Sequence, residues 1–176
     1  MAYTYYGTIS EANDYFDNRL HEEAWYGAVV LDRERALIKA RQIIDNLNFK
    51  GLKHSTYLVV YDTDGELIAD VTDAEIRAAE ASQDMEFPRD ADTLIPAQIK
   101  FAQWEVAHAL LDGIDPDLEL ENLGIVSQGM ASVRTTYNRN HTQIEHLMNG
   151  VPSAAAWRYL RPFLRDGDAI KLSRVD

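Results

Sequence analysis

Hydrophobic side chains recur at helical spacing along much of the chain. Apolar residues fall every three or four positions in one stretch, which predicts a helix over 33–48. A second stretch, beginning at Ile99, is apolar around much of its circumference, so the helix predicted over 96–112 is expected to be buried on more than one side. The pairing of these two helices is the predicted core.

Two further helices are predicted near the ends of the chain. The first follows Ser10, a favourable N-cap, and places Ala12 and Phe16 on one face. The last opens at Ser153. Pro162 removes a backbone donor from it, so this helix is expected to kink or end at the preceding residue.

Between these helices the pattern changes to one typical of strands. Residues 57–61 are rich in β-branched and aromatic side chains and are followed by an Asp-Gly pair, which predicts a β-hairpin over 57–70. Thr72 is followed by a glutamate at capping-box spacing, which predicts a short helix over 73–82. Residues 53–83 are therefore predicted to form a hairpin-plus-helix insertion in a helical chain.

A second extended region is predicted over 118–140, where the helical period is absent. Apolar and polar residues alternate over 131–137, as they do along a strand. A strand over 125–137 has three candidate partners: the residues before Gly129, the 57–70 hairpin, or another chain by strand addition.

The predicted fold class is mainly α: a small helical bundle with an extended β-hairpin or strand element and the hairpin-plus-helix insertion. The 176 residues and 20.0 kDa fit one domain over 1–176, with the C-terminal helix and tail at 152–176. There is no cysteine, which excludes a disulfide framework, a thiolate zinc site and a cysteine nucleophile. No apolar run approaches the ~18 residues that a membrane span needs.

Charge is distributed unevenly along the chain. The net charge is −12, from 17 basic and 29 acidic residues. Residues 1–133 carry a net charge of −15, and residues 134–176 a net charge of +3. An acidic body disfavours nucleic-acid binding, whereas a basic tail favours head-to-tail contacts between copies or docking on an acidic partner. A solvated surface explains the same charges equally well.

No pattern of residues predicts an enzyme, a cofactor or a metal site. None of the five histidines belongs to a His-Glu-x-x-His unit, and His108 is expected to be a core histidine. Placing Gly65 at the sixth position of an EF-hand puts valines at the first and twelfth, so the calcium loop fails. Ser127 lies one residue too far from Gly124 for a nucleophile elbow.

The order of several short motifs resembles one family. The motifs are an aromatic-Gly segment leading to an Ala-x-x-Tyr-Phe helix, a Trp, an Ala-Leu-Ile-x-Ala helix, an aromatic-Pro-Arg motif, an Ile-Pro helix start, a Thr-Tyr strand end and a Leu-x-Pro-aromatic-Leu helix. They stand here at Tyr6–Phe16, Trp25, Ala36–Ala40, Phe87–Arg89, Ile95–Lys100, Thr136-Tyr137 and Leu160–Leu164. In this order they resemble the head–tail adaptor (head-completion or connector) proteins of tailed bacteriophages, some of which are described as DnaT-like single-stranded-DNA-binding proteins. The family often has a Trp where this chain has Phe87, and it lacks the 53–83 insertion.

The resemblance implies a structural virion protein of the neck, not an enzyme. Such an adaptor forms a homo-oligomeric ring, commonly a dodecamer, beneath the portal protein, extends the DNA channel and provides the platform to which tail or neck proteins attach. Packaged double-stranded DNA passes through without sequence-specific binding, no membrane is involved, and the protein is located at the head–tail junction after synthesis in the bacterial cytoplasm. The 53–83 insertion is then expected to decorate the surface.

Seven residues are predicted to lie at interfaces of this assembly. Val133, Arg134 and Tyr137 are expected at a subunit interface. Trp157, Arg158, Arg161 and Phe163 are expected on the portal-facing side. The alternative function is that of a single-stranded-DNA-binding replication accessory protein, in which Arg134, Tyr137, Arg139, Trp157 and Arg158 would supply a basic groove with stacking aromatics.

Overall fold

The computed structural model describes residues 4–123, 127–130, 133–136 and 145–165. The chain is mainly helical. In chain order, the helices and strands are α1 Ile9–Phe16, α2 Glu23–Gly27, α3 Val30–Asp45, α4 His54–Val60, α5 Asp73–Ser82, α6 Ala97–Leu111, α7 Pro116–Leu123, β1 Ser127–Met130, β2 Val133–Thr136, α8 Glu145–Met148 and α9 Ala154–Leu160, and a 3-10 turn, Arg161–Phe163, follows α9.

The core lies between α3 and α6, as the two apolar stripes predicted. Leu37 and Ile44 of α3 are fully buried together with Ile99 and Val106 of α6. On another side of α6 packs α9, whose Leu160 is also fully buried. Each fully buried Leu or Ile is worth about 1.5–3 kcal/mol relative to an exposed one. The central position of α6 explains why it is apolar around most of its circumference.

The first helix begins two residues earlier than its sequence pattern indicated. Thr8, not Ser10, is the N-cap. The Thr8 hydroxyl accepts from the Glu11 backbone N–H at 3.2 Å, and the Glu11 carboxylate accepts from the Thr8 backbone N–H at 2.8 Å. This reciprocal capping box satisfies two backbone donors, whereas a serine N-cap alone satisfies one, and it fixes the start of α1.

The insertion is helical where a hairpin was predicted. Residues 54–60 form α4, so the predicted strand over 57–61 is wrong, and only one bridge, between Tyr61 and Leu67, remains of the hairpin. The rings of Tyr57 and Tyr61 stack at 4.9 Å, an i, i+4 pair that a helix allows and a strand does not. The predicted helix 73–82 is confirmed, with the Thr72 capping box present.

The region predicted to be extended over 118–140 is helical at its start. The helix α7 begins at Pro116, where a missing N–H costs nothing, and the Asp115 carboxylate accepts from the Asp117 backbone N–H at 3.0 Å. Leucine and glutamate alternate over 118–121, so the segment has no helical period in its sequence, but the cap at Asp115 starts a helix. Further on, β1 and β2 pair antiparallel, with Ser127 opposite Thr136.

A buried polar contact ties the N-terminal segment to α6. Gln103 is fully buried, and its side-chain oxygen accepts from the Tyr6 backbone N–H at 2.7 Å. The amide nitrogen of Gln103 donates back to the Tyr6 carbonyl at 3.1 Å. The Tyr6 side chain is fully buried as well, and its hydroxyl donates to the Asp45 carboxylate at the end of α3. Tyr6 thus joins the two core helices.

Within the described residues, every helix is too short or too polar to cross a lipid bilayer.

Candidate functional site

The end of α9 and the loop after α3 together form an exposed basic surface. It comprises Lys50, Trp157, Arg158, Arg161 and Arg165 and is called here the basic C-terminal face. The four cations are exposed, and Trp157 is half-buried. Trp157, Arg161 and Arg165 line a cavity of about 350 Å³ on this face, whose floor includes Leu47 and Leu164.

Local sequence explains why α9 presents these side chains outward. The Ser153 hydroxyl caps the helix by accepting from the Ala156 backbone N–H at 3.2 Å. Ala156 and Leu160, four residues apart, are fully buried against the core. The intervening Arg158 therefore faces solvent. The helix ends at Leu160, and Arg161 begins the 3-10 turn that contains Pro162, which confirms the predicted end beside this arginine.

Backbone contacts hold the face in place. Leu164 forms an antiparallel bridge with Phe49. The Lys50 N–H donates to the Phe163 carbonyl and the Arg165 N–H donates to the Asn48 carbonyl, both at 2.9 Å. The Lys50 ammonium donates to the Pro162 carbonyl at 3.3 Å. Two segments more than 100 residues apart in sequence are thereby fixed as one surface.

The cations of the basic C-terminal face differ from most of the described basic residues elsewhere. Six of those residues form an ion pair with a carboxylate: Arg19, Arg35, Arg41, Lys53, Arg89 and Lys100. Among the described residues, no ion pair involves Lys50, Arg158, Arg161 or Arg165. Glu145 is the carboxylate of the cavity, and it accepts from the Trp157 indole N–H at 3.1 Å. A partner with exposed carboxylates would therefore find cations here that form no ion pair within the described part of the chain.

The structure brings together only part of the predicted interface set. Trp157 and Arg161 share the cavity, and Arg158 lies one turn away. Phe163 is half-buried and packs edge-on against Phe87 at 5.8 Å, so its ring serves the core. In the other group, Val133 and Arg134 belong to β2, and Tyr137 lies outside the described residues.

Sequence reasoning missed two residues of the face, Lys50 and Arg165. Lys50 lies in the loop between α3 and α4 and joins the surface only because 48–50 pairs with 163–165. No periodic signal in the sequence links these segments. Arg165 follows the Leu-x-Pro-aromatic-Leu motif directly, so the charge of the tail was a signal for it.

A second cavity, of about 560 Å³, lies between α1 and α6 beside Tyr15, Phe101 and Trp104. Four charged groups in or beside it form two ion pairs. Arg19 pairs with the buried Glu105 carboxylate at 2.9 Å, and Lys100 pairs with Glu11 at 2.6 Å.

The pKa values of titratable groups in and beside this cavity are shifted by ion pairs, hydrogen bonds and burial, as in groups that stabilise a fold. The bond from Lys100 lowers the pKa of Glu11, with burial opposing it. Burial, and then the bond to Glu105, raises the pKa of the Tyr15 hydroxyl. These groups stabilise the packing of α1 on α6.

His108 behaves as the core histidine that its position predicted. It is buried, and its ring stacks on Phe16 with 5.5 Å between centroids. Burial lowers the pKa of His108, and the nearby Arg19 charge acts in the same direction. Among the described residues, no group of three His, Asp or Glu side chains is arranged to hold a metal ion.

Comparison of the chain with protein-family models, with curated proteins and with solved structures finds no match.

Proposed function

We propose that the chain is a structural virion protein: the head–tail adaptor of a tailed bacteriophage, which forms a ring beneath the portal and carries the tail. The observation that carries this proposal is the basic C-terminal face, which is exposed and fixed by backbone contacts on a chain of net charge −12. The order of motifs that resembles the adaptor family supplies the biological setting.

The basic C-terminal face is suited to binding protein. Its cations surround a half-buried tryptophan, the combination of polar rim and aromatic anchor that protein interfaces favour. Such a face attracts a neighbouring subunit or an acidic surface of the portal, with an on-rate that falls as salt rises. We therefore keep Trp157, Arg158 and Arg161 on the portal-facing side as part of this proposal.

The acidic remainder of the chain suits a channel for DNA. A surface without clustered cations releases few counterions on contact with a phosphate backbone, so packaged DNA is not held. This function requires no cofactor or metal.

The extended segment is a second proposed contact of the ring. We place Val133, Arg134 and Tyr137 at a subunit interface, where an extended β-hairpin element would offer an open edge to the next copy. Val133→Pro removes one backbone donor from β2. We expect this variant to join portal-bound rings poorly. Incorporation equal to that of the parent would contradict strand-mediated assembly.

Single-stranded-DNA binding remains the alternative, and the surroundings of Trp157 disfavour it. A base stacked on this ring would bring its phosphate close to the Glu145 carboxylate, which already bonds the indole N–H. Adding an oligonucleotide to the purified protein in low salt tests this alternative.

The test is assembly with the portal protein of the same virus. Electron microscopy of the mixture should show an added ring below the portal. Arg158→Glu with Arg161→Glu should weaken ring formation, whereas the matched control, Arg35→Glu with Lys39→Glu on exposed positions of α3, should not. A parent protein that binds an oligonucleotide tightly and leaves the portal bare would overturn the proposal.

A further inference from the structure

The insertion carries a groove that the proposed function leaves without an occupant. The groove lies beside α4 and has a volume of about 510 Å³. Its apolar lining is Tyr57, Leu58, Tyr61 and Ile68, and Ala91 and Thr93 close it from the segment before α6. These six residues are called here the insertion groove.

Apolar side chains around the insertion groove are exposed to an unusual degree. Leu58, in the lining, is 60% exposed. Leu67 and Leu94, which adjoin lining residues in the chain, are 70% and 79% exposed. Exposed apolar side chains beside an apolar groove are typical of an interaction site. None of the residues 53–83 belongs to the buried core cluster, so these side chains are not needed to hold the core together.

Acidic residues are frequent in the segments that line the groove, and Asp62 is in its lining. Between residues 62 and 82 the chain has seven acidic residues and one basic residue. Asp64 and Glu66 are exposed on the loop after α4, and Asp92 stands between two groove residues. The Asp62 carboxylate accepts from the backbone N–H groups of Asp64 and Glu66, both at 2.9 Å, which fixes this loop. An occupant must therefore combine an apolar anchor with surrounding cations.

The basic C-terminal face has that combination. It offers one aromatic side chain, Trp157, among four exposed cations. The insertion groove offers stacked tyrosines and exposed leucines among carboxylates. The sign of charge and the pairing of an aromatic side chain with an apolar lining are thus complementary between two different surfaces of the same chain.

We propose that the insertion groove of one copy binds the basic C-terminal face of the next copy. This inference rests on the self-assembly in the proposed function and names its contact. Because the two surfaces differ, the contact is heterologous, and repeating it generates a closed ring or an open helix of copies. The insertion would then be an assembly element and not a surface decoration.

The experiment uses two variants of the full chain, one altered in the insertion groove and one altered in the basic C-terminal face. The groove variant carries Leu58→Ser and Glu66→Gln, and the face variant carries Arg158→Gln and Arg161→Gln. All four positions are exposed, so each variant should keep the parental circular-dichroism spectrum and melting temperature. Leu118→Ser with Glu119→Gln on α7 is the matched groove control, and Arg35→Gln with Lys39→Gln is the matched face control.

Sedimentation velocity over a range of protein and salt concentrations gives the readout. The parent and both controls should self-associate, less so as salt rises. Each test variant should associate about tenfold or more weakly. A 1:1 mixture of the two test variants retains one intact groove and one intact face per pair, so it should give heterodimers and nothing larger.

Three outcomes would overturn the inference. The parent could remain monomeric in low salt at the highest concentration it reaches. The test variants could associate as the parent does, or their mixture could fail to form heterodimers. A groove variant that still self-associates but loses attachment of tail proteins would assign the groove to a tail protein instead.

Portal binding, measured separately, distinguishes this inference from the proposed function. Rings that form on the portal equally well with the parent and the groove variant would contradict the groove contact and leave the adaptor function standing. Salt-dependent self-association without any portal binding would do the reverse.

Discussion

Replacing Gln103 by leucine should destabilise the protein strongly, although the new side chain is apolar and similar in size. Gln103 is fully buried on α6, and its amide group satisfies both the N–H and the carbonyl of Tyr6. After Gln103→Leu, both backbone groups lose these bonds inside the protein. An unsatisfied buried donor or acceptor costs about 1–3 kcal/mol. Two such groups together cost about 2–6 kcal/mol.

This loss is large compared with the stability of a typical domain, about 5–15 kcal/mol. A value of about 4 kcal/mol corresponds to a fall in melting temperature of about 8–16 °C for a chain of this size. Urea denaturation and thermal unfolding, both followed by circular dichroism, measure it. Gln98→Leu, at an exposed position of the same helix, is the control and should change stability by no more than about 0.5 kcal/mol.

A second substitution separates hydrogen bonding from packing. In Gln103→Glu the side chain can both accept and donate only while its carboxyl is protonated. Burial raises the pKa of a carboxyl in the folded state above its unfolded value, so stability is retained at low pH and lost as pH rises through that pKa. The deficit relative to the parent should therefore be larger at pH 8 than at pH 4. Equal stability of Gln103→Leu and Gln98→Leu would refute the reasoning.

Three further predictions follow from the core, the insertion and His108. Leu37→Ala on α3 should lower the free energy of unfolding, measured by urea titration, by about 2–5 kcal/mol, because Leu37 is fully buried. Val106→Ala on α6, also at a fully buried position, should lower it by about 1–3 kcal/mol. Unchanged values in both variants would mean that the core is elsewhere. Replacing 54–83 by a short Gly/Ser linker should leave a protein that folds cooperatively, because no residue of this segment is in the core cluster and closing the loop costs little free energy. A broad, non-cooperative thermal transition in this variant would contradict the prediction. The pKa of His108 in the folded state lies below its ordinary 6.5, so the unfolded chain takes up a proton first and the free energy of unfolding falls as pH drops below about 6.5. His108→Gln should reduce this fall in unfolding experiments between pH 7 and pH 5. An unaltered pH dependence in this variant would contradict the prediction.

The sequence by itself determined the elements whose signals are local and mutually consistent. The apolar periods of α3 and α6 predicted both helices and their pairing, because a stripe on each can be buried only against another apolar surface. The Thr72 capping box predicted where α5 begins, and Pro162 predicted that α9 ends near Arg161. In each case the information lies within a few residues of the feature, where backbone sterics and capping bonds operate.

Only the tertiary structure decided the features that depend on distant segments or on competition between local preferences. The β-prone residues of α4 are helical, with Tyr57 stacked on Tyr61 and the His54 ring bonded to the Asp90 carbonyl at 2.8 Å. Gln103 is polar by type, and its burial depends on Tyr6, 97 residues away. Lys50 joins the basic C-terminal face through backbone pairing with a segment that ends at Arg165. Side-chain burial and long-range hydrogen bonds outweigh local propensities that differ by only about 1 kcal/mol, and they are set only when the chain has folded.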